Sequence, residues 1–236
     1  CENKVENPTP VQVSQPASEP TSGLASQPVS ASTGLSQSST KPGVFVLLCG
    51  TVGCGKSTYA AELQKLEQAA NKYCLITGTD KFVLQGVDRG AAAAQRVSQE
   101  LQQAKMVAGD KVIILDTCGE NFNSKNVFGV NFENWKIERV WVNLDRKQLD
   151  NYLAWSLYNV LNRQVGEGVL NPHSAGVSVC VDVHLRKAKS HFGKKLSEIV
   201  SASSKKEDIL AQLIPKATAY SNYLNENREK FAPKAF

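Results

Sequence analysis

Residues 44–58, VFVLLCGTVGCGKST, decide the fold. The first six are apolar without a break, as in a strand buried on both faces of a parallel sheet. Gly50-Thr51-Val52-Gly53-Cys54-Gly55-Lys56-Ser57-Thr58 then satisfies the pattern GxxxxGK[ST] in full. Glycines let the backbone wrap a phosphate with its N–H groups turned inward, and the helix that follows adds the positive end of its dipole. Gly50, Gly53, Cys54, Gly55 and Thr58 are therefore candidate phosphate-loop residues. In this pattern the Lys56 ammonium reaches the β- and γ-phosphates, and the Ser57 hydroxyl ligates Mg²⁺. The expected ligands are ATP, or another nucleoside triphosphate, and Mg²⁺. Phosphate loops leave the choice of base to other residues.

Downstream, short apolar runs alternate with helical patterns. Tyr73–Thr77, Lys111–Asp116 and Ile137–Leu144 read as strands, and Thr58–Ala70, Gly90–Val107 and Leu149–Arg163 as helices. This alternation predicts an α/β fold: a doubly wound, mostly parallel sheet of the P-loop NTPase and kinase type. Beyond Gly166, Val177–Val183 reads as a strand or part of a substrate loop. Asp182–Phe192 and Lys206–Phe231 read as helices, the second interrupted at Pro215. No internal repeat is visible.

Upstream, residues 1–43 hold six of the nine prolines, nine serines and no aromatic residue. Such a segment cannot bury enough apolar area to offset its ordering entropy, so it reads as a disordered tether. The expected organisation is a tether over 1–43 and one kinase-like domain over 44–236. A chain opening on Cys1 reads as a piece of a longer polypeptide or polyprotein rather than as a lipoprotein.

The 236 residues are 42% apolar and 21% charged, with six cysteines and a formal charge of +5. No apolar run approaches the ~20 residues that span a bilayer. The cysteines form no CxxC pair, so buried reduced thiols are expected rather than zinc ligands or a disulfide framework, which suits a cytoplasmic, reducing compartment. Residues 163–236 carry 12 Lys and Arg against 7 Asp and Glu, a basic third suited to a polyanionic partner or to a solvated surface. Within it, residues 184–191 (HLRKAKSH) followed by Phe192 read as a solvated basic helix face, or as a track for a nucleic-acid backbone. His173, His184 and His191 lack metal-ligand spacing.

Two carboxylates follow strand ends, where open parallel sheets bind ligands. Asp80, in Thr79-Asp80-Lys81, is a candidate general base for an attacking hydroxyl, or a turn aspartate. Asp116, in Leu115-Asp116-Thr117-Cys118-Gly119, is a candidate metal-supporting carboxylate. Asp116–Gly119 also fits the DxxG switch of a GTPase. The guanine-reading NKxD is absent, however; Asn143-Leu144-Asp145 is one residue short.

Residues 44–163 resemble the polynucleotide kinase branch of P-loop kinases, most closely the kinase domain of fungal-type tRNA ligases. The resemblance rests on the loop Val52-Gly53-Cys54-Gly55-Lys56-Ser57-Thr58, on Asp80 after the second strand, on VIILDTCGEN, and on the helix end Leu157–Arg163. It implies transfer of a γ-phosphate to a polynucleotide 5′-hydroxyl, with Asp80 as base and Arg163 as a lid arginine over the phosphates. Arg163 read alone equally suits a helix C-terminus; Arg89 and Arg146 are weaker candidates for the same role. The sequence departs from the family at Gln164-Val165-Gly166-Glu167, where a basic, histidine-containing stretch is usual, and at Lys81, since the first arginine after Asp80 is Arg89. Two other expectations stand beside this one: a non-catalytic nucleotide-binding module of a larger RNA-processing or viral replication protein, and a small-molecule kinase.

Overall fold

The computed structural model describes residues 41–88, 90–117, 123, 125–162, 177–194, 200 and 206–236. They belong to one compact unit, Ser39–Phe236. The expected tether, apart from residues 41–43, lies outside the described residues, as do Arg89, Arg163 and His173.

Four strands, β1 (Val44–Cys49), β2 (Tyr73–Thr77), β3 (Lys111–Leu115) and β6 (Lys136–Trp141), form one sheet in the order β2-β3-β1-β6, with every neighbouring pair parallel. The molecule is thus α/β with a parallel sheet, as expected. A separate antiparallel hairpin, β4 (Asn126–Val127) and β5 (Val130–Asn131), was not anticipated. Its two-residue turn puts Phe128 and Gly129 at φ 50° and 78°, the doubly positive pattern that suits a twisted hairpin.

β1 and β3 are central, and their unbroken apolar sequences follow from burial on both faces. Alternate β1 side chains enter two cores. Val46 and Leu48 join Ala60 and Leu63 of α1 (Lys56–Ala69), Leu153 and Leu157 of α4 (Leu149–Leu161), and Leu213 and Tyr220 of α6 (Lys206–Glu226). Phe45 and Leu47 join Phe82 of α2 (Thr79–Leu84), Val97 and Leu101 of α3 (Ala91–Met106), and Phe132, whose ring stacks on Phe45 at 4.0 Å. Helices therefore cover both faces of the sheet.

Two charged side chains, Glu67 and Lys111, are buried among the described residues. Lys111, 2% exposed, opens β3 and reaches the C-terminal end of α3, where its ammonium donates to the carbonyls of Lys105, at 3.2 Å, and Val107. A cation at that end of a helix meets both unpaired carbonyls and the negative end of the dipole.

Two expectations are corrected. Val177–Val183 is not a strand but the start of α5 (Val177–Phe192). Its valines alternate like a strand, yet the residues that face inward, Val181, His184 and Ala188, recur at helical spacing. Pro215 does not interrupt α6, which runs through it to Glu226 and is followed by α7 (Arg228–Phe231). Pro215 removes one ladder bond, but buried Ile209, Leu213, Ala217 and Tyr220 on either side pack the helix along α4. That burial outweighs a proline cost of about 3 kcal/mol.

No helix among the described residues is long and apolar enough to cross a membrane. Cys49, Cys54 and Cys74 are buried, reduced cysteines. The side chains of Cys1, Cys118 and Cys180 lie outside the described residues.

Leu213 is fully buried between α6 and α4. Leu213→Ala should lower unfolding free energy by about 2–5 kcal/mol with an unchanged urea m-value, measured by circular dichroism.

Candidate functional site

The sheet order brings three strand ends to one edge. Leu47 pairs with Leu115 and Leu115 with Thr77, so the chain leaves β3 at Asp116 and β2 at Gly78 side by side, while β1 runs on through Leu48 and Cys49 before turning at Gly50. Asp116 N–H also donates to Thr77 O at 2.8 Å. Close approach requires a glycine here, because a Cβ on Gly78 would stand 2.3 Å from the Asp116 carbonyl oxygen.

The loop from Gly50 to Gly55 turns three times through positive φ, at Gly50 (135°), Gly53 (84°) and Gly55 (90°). Space is as restrictive as conformation. A Cβ on Gly53 would lie 2.2 Å from the Ser156 carbonyl oxygen, and one on Gly50 would lie 2.8 Å from the Tyr152 hydroxyl. Helix α1 begins at Lys56 without a side-chain cap and without an acidic residue in its first turn. The N–H groups of that turn have no helical partner by geometry, so an anion there would meet donors and the positive end of the dipole. Lys56 Nζ lies back across the loop, donating to Gly50 O at 3.0 Å and Thr51 O at 2.9 Å.

Three further elements brace the loop. From α4, the Tyr152 hydroxyl accepts from Thr51 N at 3.2 Å, Ser156 Oγ accepts from Thr51 Oγ1 at 2.8 Å, and Asn159 Nδ2 donates to Gly53 O at 3.1 Å. From α5, His184 Nε2 lies 2.8 Å from Ser156 Oγ. From the turn after β6, Asn143, at φ 56°, donates from Nδ2 to Cys54 O at 2.9 Å. Asn143 is itself held: its carbonyl accepts from the Tyr220 hydroxyl at 2.5 Å. Asp145, two residues on, accepts from the Tyr223 hydroxyl and, at 2.7 Å, from Lys230 Nζ. These partners hold its carboxyl well below the usual range, the Lys230 contact most strongly.

Asp116 reaches this loop. Its carboxyl lies beside the Ser57 hydroxyl and within the electrostatic influence of Lys56 and Asp80. Burial raises its pKa above the ordinary value, the Asp80 charge adds to the rise, and Ser57 and Lys56 oppose it. Asp80 occupies the first turn of α2. Lys81, its neighbour, pairs with Glu100 at 2.6 Å.

The structure thus brings together Gly50, Gly53, Cys54, Gly55, Lys56, Ser57, Asp116 and Asp80, with Thr58 in the first turn of α1. A hydroxyl and two carboxylates supply hard oxygen donors of the kind Mg²⁺ takes, and the uncapped helix, glycine turns and Lys56 fit a polyphosphate.

Sequence reasoning missed Tyr152, Ser156, Asn159 and Asn143. The signal was present in α4, where polar atoms recur at helical spacing on an otherwise apolar face. His184 was misread: it is not part of a solvated basic face but fully buried, while Arg186 and Lys189 face outward.

No protein-family model matches the chain. Over 169 residues it is 37% identical to an uncharacterized protein of Acanthamoeba polyphaga mimivirus, a match covering 69% of this chain and 18% of the viral protein. The chain therefore spans less than a fifth of that relative's length.

Because the Asp116 pKa is raised on folding, the unfolded chain ionises first. Stability is therefore lost as pH rises above the ordinary value of 3.8 and through the folded pKa. Ligand-free Asp116→Asn should melt higher than the parent protein at neutral pH, the difference closing as pH falls toward 3.8 in differential scanning fluorimetry.

Proposed function

We propose that the chain is a P-loop phosphotransferase dependent on Mg²⁺, moving the γ-phosphate of ATP to a polynucleotide 5′-hydroxyl. The observation that carries the reading is the placement of the Asp116 carboxyl beside Ser57, Lys56 and Asp80. It joins a metal-type hydroxyl, a strand-end carboxylate and a second carboxylate at the mouth of a glycine-rich loop.

In this reading the α1 N-terminus and the loop amides hold the polyphosphate. Lys56 leaves the carbonyls of Gly50 and Thr51 to pair with the β- and γ-phosphates. Ser57 and Asp116 would hold Mg²⁺, which when bound draws charge from the phosphates. Asp80 takes the proton from the acceptor hydroxyl as its oxygen bonds to phosphorus; the bond to the β-phosphate oxygen breaks, and ADP leaves. Arg163, outside the described residues, keeps its proposed role as a cation over the transferring group.

The acceptor class rests on the resemblance to polynucleotide kinases and on the basic residues after 162. Guanine reading by Asp145 is disfavoured, because Lys230, Tyr223 and the Lys147 N–H already engage its carboxylate.

The test is labelled ATP incubated with 5′-hydroxyl RNA, 5′-hydroxyl DNA and nucleosides. Label on oligonucleotides is expected. Label on nucleosides alone would indicate a small-molecule kinase, and binding without transfer a regulatory module. Asp80→Asn should slow transfer by at least about 100-fold while ATP affinity changes little; retained transfer would remove the base assignment.

A further inference from the structure

Thr51, Ser156 and His184 come from the loop, α4 and α5, and all three are essentially inaccessible to solvent. Their polar atoms form a continuous chain through the core. Thr51 Oγ1 donates to Ser156 Oγ at 2.8 Å, Ser156 Oγ donates to Leu153 O at 3.1 Å, and His184 Nε2 stands 2.8 Å from the same Ser156 oxygen.

Hydrogen-bond satisfaction selects between the tautomers. Ser156 has one hydroxyl hydrogen; given to Leu153 O, it leaves His184 to donate from Nε2, with Ser156 Oγ a double acceptor. Nδ1 is then a bare lone pair, and it is the His184 atom without a hydrogen-bond partner. The other tautomer would bury an N–H with no acceptor, which costs more than an idle lone pair. Burial also keeps the ring neutral, pulling its pKa down to about 3, with the Lys56 charge adding to the effect.

Thr51 is the pin of the loop. Its N–H goes to Tyr152, its hydroxyl to Ser156, and its carbonyl accepts from Cys54 N at 3.3 Å and from Lys56 Nζ at 2.9 Å. The backbone unit that receives the ammonium is thus anchored through its own side chain to Ser156 and His184.

We propose that His184 is a positioning residue for the phosphate loop: donating through Nε2 to Ser156, it fixes the acceptor that orients Thr51, and so sets the loop for triphosphate binding. The proposal rests on the reading of Gly50–Thr58 as a triphosphate site. A histidine that only fills space in the core would be replaceable by an apolar residue of similar size without any effect on the loop. One that orients Ser156 is replaceable only by another donor.

The experiment measures the dissociation constant of a fluorescent ATP analogue with Mg²⁺ for the whole chain, together with the KM and kcat of transfer. His184→Leu should weaken binding about tenfold, the scale of one lost buried hydrogen bond, and raise KM more than it lowers kcat. His184→Gln, which restores a donor, should recover most of the affinity. Ser156→Ala should match His184→Leu, and the double variant should lose no more than either alone. Thr51→Val breaks the chain from the loop side and should show the same loss, which keeps the test open if the α5 variant folds poorly. Unchanged affinity in folded His184→Leu, or equal affinities for the Leu and Gln variants, overturns the positioning role and leaves the site reading intact. No binding by the parent protein overturns both.

Discussion

β3 lies between β1 and β2, paired with β2 along its whole length and with β1 over Val112–Leu115, and this pairing sets which strand-end loops meet. Had β2 paired with β1 directly, the turn after β2 would have taken the place beside the phosphate loop, and Asp116 would have been displaced by a strand's width, about 4.8 Å. The observed order puts the carboxylate that ends β3 against Ser57 and brings the Asp80 turn in from the far side. Registers of four and five residue pairs thus convert sequence positions separated by tens of residues into one cluster.

That cluster is held at an energetic disadvantage. Two aspartates influence each other inside a region where burial already disfavours the charged form of Asp116. Lys56 relieves part of the strain, but its ammonium is also claimed by the carbonyls of Gly50 and Thr51. Burial and the nearby Asp80 charge together destabilise the ionised form of Asp116. Functional sites commonly carry such a stability deficit.

The strands and the glycine-rich turn were legible because their signals are local. An apolar hexamer, a fixed glycine spacing and an aspartate at a strand end each declare themselves within a dozen residues. The brace was not legible, since it is made by pairs far apart in sequence: Ser156 with Thr51, Asn143 with Cys54, His184 with Ser156. His184 also lay among charged neighbours, and composition cannot tell which side of a helix faces in. The valines at 177–183 imitated a strand because their period of two extends too briefly to reveal the longer helical period. Pro215 misled in the opposite sense, as a local rule overridden by the burial of residues on either side.

The support running from Lys230 and Tyr223 to Asp145, and from Tyr220 to Asn143 and on to Cys54, has a consequence for the order of assembly. The loop motif is made early in synthesis, yet its brace includes partners 77 to 89 residues distant along the chain. Contacts of such separation form late, because loop-closure entropy opposes them until much of the core is in place. A nascent chain released from the ribosome as far as β3 would carry the whole glycine-rich motif but not its finished shape. The finished shape of the loop would then appear only when α6 docks, which ties it to completion of the core that holds Val46 and Leu48.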